Sequence, residues 1–289
     1  MKRKSAPHAE RARESTAAIP VRIPAQVRHQ RIMDTFRQYD FLLVTDIAAR
    51  IGVSTMTIRR DLEHLEKAGK ITRTHGGAMV NADGARTGAD EEESIFDRRL
   101  LKNAGGKEAI ARVAATLVDS AQSVGLDVGT TVLTAAQQLA GRQDLRFFTN
   151  NLRAAMALAG NGSPVYIVGG EVRVPELSVV GSSAIQLVRS HFLDWLFLGA
   201  SALDENGLYD FSPEDSEVKR AFIDSAERVA LLCDASKFER RGLARICELN
   251  AVDVLVTDQA PPPRLAAALR SADVEVKIAG ERPAVILTS

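Results

Sequence analysis

Cysteine, tryptophan and long apolar runs are all scarce in this chain: 2 Cys and 1 Trp in 289 residues, with aromatics at 5 %. Cys233 and Cys247 lie in apolar or mixed segments without CxxC spacing, which fits two structural thiols in a reducing compartment rather than a disulfide framework. No window approaches the ~18 uninterrupted apolar residues of a membrane helix. The opening MKRKSAPHAERARESTAAIPVRIP is basic but lacks the apolar run that follows the positive start of a signal peptide. GxxxxGK[ST] and GxGxxG are both missing, which removes the Walker A loop and the dinucleotide fingerprint. No nucleophile, metal-ligand cluster or paired-carboxylate motif stands out. The expectation is a cytoplasmic protein without metal, cofactor, catalytic residues or membrane partner.

Net charge is also missing, since 37 Lys/Arg balance 37 Asp/Glu. The zero conceals an asymmetry: residues 1–80 carry 15 basic against 8 acidic side chains, and the remainder 22 against 29. A basic front on an acidic body is the pattern of a chain whose front meets a polyanion.

What is present divides into two domains, as the length suggests. Residues 1–24 have no periodicity and read as a disordered basic arm, residues 25–80 as an α+β winged helix-turn-helix, and residues 81–94, around the acidic GADEEE, as a linker. Residues 95–282 read as an α/β domain. There SVGLDV, LRFFTN, PVYIVGG, DWLFLGAS, RVALLCD, VDVLVTD and VEVKIA are candidate strands, and helices such as KEAIARVAATLVDS and EVKRAFIDSAE lie between them. This alternation implies a mostly parallel sheet covered on both faces, with ligands outside the carboxyl ends of the strands.

In VTDIAARIGVSTMTIRRDLEHLEKAGKI, Thr45, also a candidate DNA contact, is expected to cap a helix burying Ile47, Ala48 and Ile51. Gly52 then makes the turn, and Ser54 caps a second helix burying Ile58, Leu62 and Leu65. Ser54, Thr55, Met56, Thr57, Arg59 and Arg60 fall at the exposed start of that helix, where side chains of a helix-turn-helix reach base edges in the major groove of double-stranded DNA. Ser54 is equally readable as a cap alone, Met56 as a packing residue, and one of the two arginines as the partner of a nearby acid. KITRTHGGAMV reads as a hairpin with a Gly-Gly turn that presents Lys70, Arg73 and His75 to phosphates.

In the second domain the strand ends supply Asp127, Gly129, Thr130, Thr131, Asn150, Asn151, Gly169, Gly170, Glu171, Gly199, Ser201, Asp234 and Lys237, all expected on one rim. Amides at the helix start after Gly129 suit a phosphate. Lys219 reads either as a phosphate partner or as a solvated lysine paired with Glu217 or Asp215.

These motifs resemble the DeoR/GlpR family. The resemblance rests on Val53-Ser54, Thr57 to Leu62, Leu65 and His75 to Ala78 in the front domain. In the second it rests on LDVGTT (126–131), TNN (149–151), GGEVR (169–173), SVVG (178–181), FLGAS (197–201), EVKRAFI (217–223), DASKF (234–238) and TD (257–258). TNN, GGEVR and TDQAPPP are most similar to the branch of glycerol-3-phosphate regulon repressors. The resemblance implies a sensor domain similar to ribose-phosphate isomerase and CoA-transferase-like folds, and operator DNA released by a phosphorylated sugar or polyol such as glycerol 3-phosphate. The related isomerases carry an acid where this chain has Ser201. The resulting expectation is a repressor of a carbohydrate or polyol operon, acting as a dimer or larger homo-oligomer because one helix-turn-helix covers too little DNA. The competing readings are a sugar-phosphate isomerase-type enzyme with a DNA-binding head and an architectural DNA binder with an unliganded body.

Overall fold

The computed structural model describes residues 23–36, 41–74, 76–80, 96–174 and 176–280. The basic arm before Ile23, the linker 81–94 and His75 therefore lie outside the described residues.

The front unit is three helices, α1 (Ala25–Phe36), α2 (Val44–Ile51) and α3 (Thr55–Lys67), with an antiparallel sheet of β1 (Phe41–Leu43), β2 (Ile71–Thr74) and β3 (Gly77–Val80) in the order β1-β3-β2. Its core collects Ile32 and Phe36 from α1, Ile47, Ala48 and Ile51 from α2, and Ile58, Leu62 and Leu65 from α3. Gly52 ends α2 in the left-handed conformation, with φ of 76°, that lets α3 turn away. Two local expectations need correction. Thr45 does not cap α2: β1 runs straight into the helix, Leu43 is the cap residue, and the Val44 amide donates to the carbonyl of Gly76 at 3.0 Å. The hairpin does not turn on Gly-Gly either, because Gly77 already pairs with Thr74 and only Gly76, at φ 96°, belongs to the turn.

The second unit is built on a seven-stranded sheet whose pairs are all parallel, in the order β15-β14-β12-β9-β4-β5-β6. The strands are β4 (Ser123–Leu126), β5 (Arg146–Thr149), β6 (Val165–Ile167), β9 (Leu193–Leu198), β12 (Ala226–Leu232), β14 (Val254–Thr257) and β15 (Glu275–Ile278), one from each apolar run of the sequence. Along β9, Trp195 and Phe197 face one core while Leu196 and Leu198 face the other. That alternation from Trp195 to Leu198, with both faces apolar, is why the strand reads as a continuous hydrophobic run. After a short helix α4 over residues 96–101, helices α5 (Ala104–Ala115), α6 (Thr130–Leu139) and α7 (Leu152–Ala159) cover the first face. Helices α8 (Ser182–Arg189), α9 (Pro213–Ser225) and α10 (Pro263–Ser271) cover the second. The first strong helix signal begins three residues earlier than its apolar pattern, and α9 begins at Pro213, where Ser212 accepts from the Asp215 amide and proline suits the first turn.

Two small sheets are additions to this plan: a hairpin of β7 (Glu171–Arg173) and β8 (Ser178–Val180), and an antiparallel sheet of β10 (Ala202–Asp204), β11 (Gly207–Asp210) and β13 (Ala244–Cys247). The chain winds outward from β4 through β5 to β6, then returns to β9 and winds the other way. The order therefore reverses between β4 and β9, and a crevice opens at their carboxyl ends. No described helix is long and apolar enough to cross a membrane.

Gly207 sits at φ 140°, and a Cβ there would lie 2.2 Å from the Cys247 carbonyl oxygen. Gly207→Ala is expected to strain the β11–β13 pairing by about 2 kcal/mol or more and to lower Tm by roughly 4–8 °C in a thermal melt; an unchanged Tm would show that the small sheet contributes nothing to global stability.

Candidate functional site

On the front unit the exposed end of α3 is built by its cap. The Ser54 hydroxyl accepts from the Thr57 amide at 3.2 Å and shares a 2.9 Å hydrogen bond with the Thr57 hydroxyl, so both are engaged in starting the helix. Thr55, Met56, Arg59 and Arg60 are exposed on the side away from Ile58, Leu62 and Leu65, Met56 by 61 %. Among the described residues neither Arg59 nor Arg60 makes an ion pair, so both guanidinium groups can turn toward an incoming anion.

The acid between them and the core, Asp61, does something the sequence did not announce. It is buried, accepts two hydrogen bonds from the Arg28 guanidinium and lies 3.0 Å from His29 Nε2. This charged clamp fastens α1 across the back of α3 and fixes the angle at which the helix is presented. In the wing, the Arg73 amide donates to Glu66 at 2.9 Å and its guanidinium stands 3.5 Å from the same carboxylate; Arg73 thus ties β2 to α3, while Lys70 is exposed.

The crevice between β4 and β9 opens into a cavity of about 810 Å³. Its floor is an ionic knot. Lys219, on α9, is 1 % exposed, and its ammonium donates to Asp127 at the end of β4 and to the Gly199 carbonyl at 3.1 Å, with Asp210 of β11 at 3.4 Å. Asp127 also accepts from the Gly199 amide at 2.9 Å. Burial pushes the Asp127 carboxyl up to about 6, against the pull of Lys219. Burial also works against the Lys219 ammonium, but Asp127 and Asp210 outweigh it and hold its pKa above the ordinary lysine range. Neither Glu217 nor Asp215 is its ion-pair partner, and it is not a solvated lysine.

Around this floor stand Gly129, Thr130 and Thr131 at the start of α6, Gly199 and Ser201 after β9, and Asp234 and Lys237 after β12. The Ser201 hydroxyl donates to Asp210 at 3.0 Å, and Asp215 is buried beside it in a 2.9 Å pair with Arg173 of β7. The far wall is shared with the front unit, since Leu42, Leu43, Asp46 and Arg50 line the same cavity. A side chain at Gly76 in the wing would press on Leu243 at 3.1 Å.

Six expected rim residues do not line the cavity. The β7–β8 hairpin folds over the end of β5: the Val179 amide donates to the Asn150 carbonyl at 2.7 Å, the Asn150 side chain donates back to Val179 at 3.4 Å, and Asn151 caps α7 by accepting from the Arg153 and Ala154 amides. Both asparagines are fully buried under that roof. Gly169, Gly170 and Glu171 lead into the hairpin and do not line the cavity; a Cβ on Gly170 would meet the Val180 carbonyl at 2.4 Å, so its smallness serves the hairpin. Asp127 is enclosed beneath the floor and positions Lys219 rather than facing the space. Asp210, Asp215 and Arg173 do face it; Asp215 entered the sequence reading only as a partner for Lys219 and Arg173 only as the last residue of GGEVR, while Asp210 carried no signal of its own.

Comparison with known proteins assigns both units. Residues 28–83 match the DeoR-like helix-turn-helix domain and residues 102–259 the DeoR C terminal sensor domain. The chain belongs to the DeoR family. This DeoR-family regulator is 34 % identical over 256 residues to a putative aga operon transcriptional repressor of Escherichia coli O157:H7, covering 88 % of this chain and 94 % of that one. It is 35 % identical to the glycerol-3-phosphate regulon repressor of Haemophilus influenzae, covering 81 % and 90 %. Ribose 5-phosphate isomerase A from Methanocaldococcus jannaschii is a distant structural likeness, at 18 % identity and a TM-score of 0.36 over 47 % of this chain and 55 % of that one.

In the regulator's sensor domain, Lys219→Met removes the ammonium that Asp127 and Asp210 share. The expected loss is about 3–5 kcal/mol in urea unfolding. Between the unfolded carboxylate value of ~3.9 and the folded value of about 6, the native state binds more protons at Asp127, so this group's contribution to stability falls as pH rises. Without Lys219 the folded value rises further, so the deficit should be greatest near neutral pH and shrink below about pH 6; a pH-independent deficit would show that the lysine acts through packing alone.

Proposed function

We propose that this DeoR-family regulator is a cytoplasmic repressor of a carbohydrate or polyol catabolic operon, bound to operator DNA as a homo-oligomer and released by a phosphorylated sugar or polyol. The observation that carries the reading is the cavity at the strand-order reversal, because its wall belongs to both the sensor and the DNA-binding head. An effector there touches both units, and differential contact with two arrangements is what coupling requires.

The chemistry of the lining favours that class of ligand. The backbone amides and hydroxyls of Thr130 and Thr131 at the start of α6 suit a phosphate. Asp210, Asp215 and Ser201 accept from or donate to the hydroxyls of a polyol. Relatives named as the glycerol-3-phosphate regulon repressor and an aga operon repressor agree with it. Regulation rather than turnover is the reading for this site: Lys219 is already committed to Asp127 and Asp210, and Ser201 occupies the position after Gly199-Ala200 where an isomerase would place an acid.

Fluorescence anisotropy with DNA from upstream of the regulated operon, at fixed salt, tests this. Glycerol 3-phosphate, or another member of a sugar- and polyol-phosphate panel, is expected to weaken operator binding by ~5–150-fold; indifference to the whole panel would overturn effector release. Arg59→Ala and Arg60→Ala should each weaken binding by about 1–3 kcal/mol where the arginine reads a base, or lower the salt slope by about one where it contacts phosphate. Full affinity and an unchanged slope in both variants would remove α3 as the reading helix.

A further inference from the structure

The two edges of the large sheet are finished differently. β15 presents Glu275 and Lys277, paired at 2.6 Å, and such charges discourage another strand from adding to an edge. At the opposite edge β6 pairs only with β5 and consists of Val165, Tyr166 and Ile167, with no charge among them. Tyr166 is 53 % and Ile167 43 % exposed.

The apolar surface continues from that edge onto the helical face. Tyr166 stacks on Phe148 with ring centroids 4.8 Å apart and planes within 14°, and His191 closes on the same Phe148 ring at 4.8 Å. Together with Leu187 of α8 they frame a groove of about 370 Å³, and Phe192, between groove-lining His191 and Leu193 in the chain, is 69 % exposed. Arg189 and Asp224, both highly exposed and 3.6 Å apart, follow closely in sequence on groove-lining Val188 and Phe222.

We propose that this β6–α8 face is where a second copy of the chain docks. The inference rests on the reading of the protein as an oligomer on DNA. Three features select a copy of itself as the occupant. A two-fold interface must be self-complementary, and a patch that carries both Arg189 and Asp224 at its margin can match each charge with the opposite one across the axis. An antiparallel pairing centred on Tyr166 sets Val165 against Ile167 across that axis, joining two uncharged edges into one continuous sheet. Finally, a head with one reading helix needs a second head to span two half-sites. The two exposed aromatics, at about 150–250 Å² each when fully covered, supply the apolar centre of an interface that needs roughly 800 Å² per copy.

Sedimentation velocity on the full chain at micromolar concentration tests the face. The wild type is expected to sediment as a dimer or a multiple of one. Tyr166→Lys and Phe192→Asp, both surface changes, are expected to halve the mass while far-UV circular dichroism and thermal stabilisation by the effector panel stay as in the wild type. Their affinity for DNA with two half-sites should fall by an order of magnitude or more. Tyr166→Cys, on the proposed axis, should cross-link to a disulfide dimer under mild oxidation. A monomeric wild type overturns the proposal. Variants that keep the wild-type mass also overturn it and assign the groove to another occupant. A dimeric wild type that dissociates on Tyr166→Lys but binds no operator would preserve the interface and defeat the DNA reading instead.

Discussion

The sensor domain is organised around one buried ammonium group. Lys219 reaches from α9 to the ends of β4 and β9 and to the small sheet, contacting Asp127, the Gly199 carbonyl and Asp210. A lone charge at that depth would cost several kcal/mol, so the lysine is tolerable only while all three acceptors stay in place. This makes it a register pin: β4 and β9 are the strands at which the winding reverses, and without a fixed joint their carboxyl ends would be free to splay. The cavity owes its shape to that constraint. Gly199 completes the joint, since a Cβ there would fall 2.8 Å from the Val128 carbonyl.

The DNA-binding head uses the same device in miniature. Asp61 collects Arg28 and His29 from α1, so the helix carrying Arg59 and Arg60 is held from behind by charge as well as by Ile58, Leu62 and Leu65. Because β1 enters α2 without a loop and Val44 is bonded to Gly76, α2 and the wing move together. Asp46 and Arg50, which line the cavity, stand on that same helix.

The architecture was largely legible from periodicity. Each of the seven apolar runs holds one strand of the parallel sheet, and the inner ones, buried on both faces, are nearly continuous in hydrophobic residues. The head was equally open to reading, as Gly52 and Ser54 are punctuation whose effect is local. The rim was read too broadly. Asn150 and Asn151 look like ligand contacts at a strand end, yet the hairpin of β7 and β8, formed later in the chain, covers them, with Asn150 donating to Val179 and Asn151 capping α7. Conversely, nothing local marks Asp210 and Asp215 as cavity residues: the β11–β13 pairing carries Asp210 over the crevice, and Arg173 of β7 holds Asp215 there. Thr45 failed as a cap for a similar reason: a carbonyl from the wing, thirty-odd residues along, does the work a local hydroxyl was expected to do. Local chemistry was readable; partners supplied by distant segments were not.

The two cysteine thiols are held out of reach of thiolate chemistry. Burial pushes the Cys233 thiol far above the usual range and the Cys247 thiol up to about 12. Oxidants and electrophiles attack the thiolate, and at physiological pH almost none exists at either position. A DeoR-family sensor whose two thiols are both held in the protonated form offers little cysteine nucleophile, so its chemistry at the cavity is left to charges and hydroxyls.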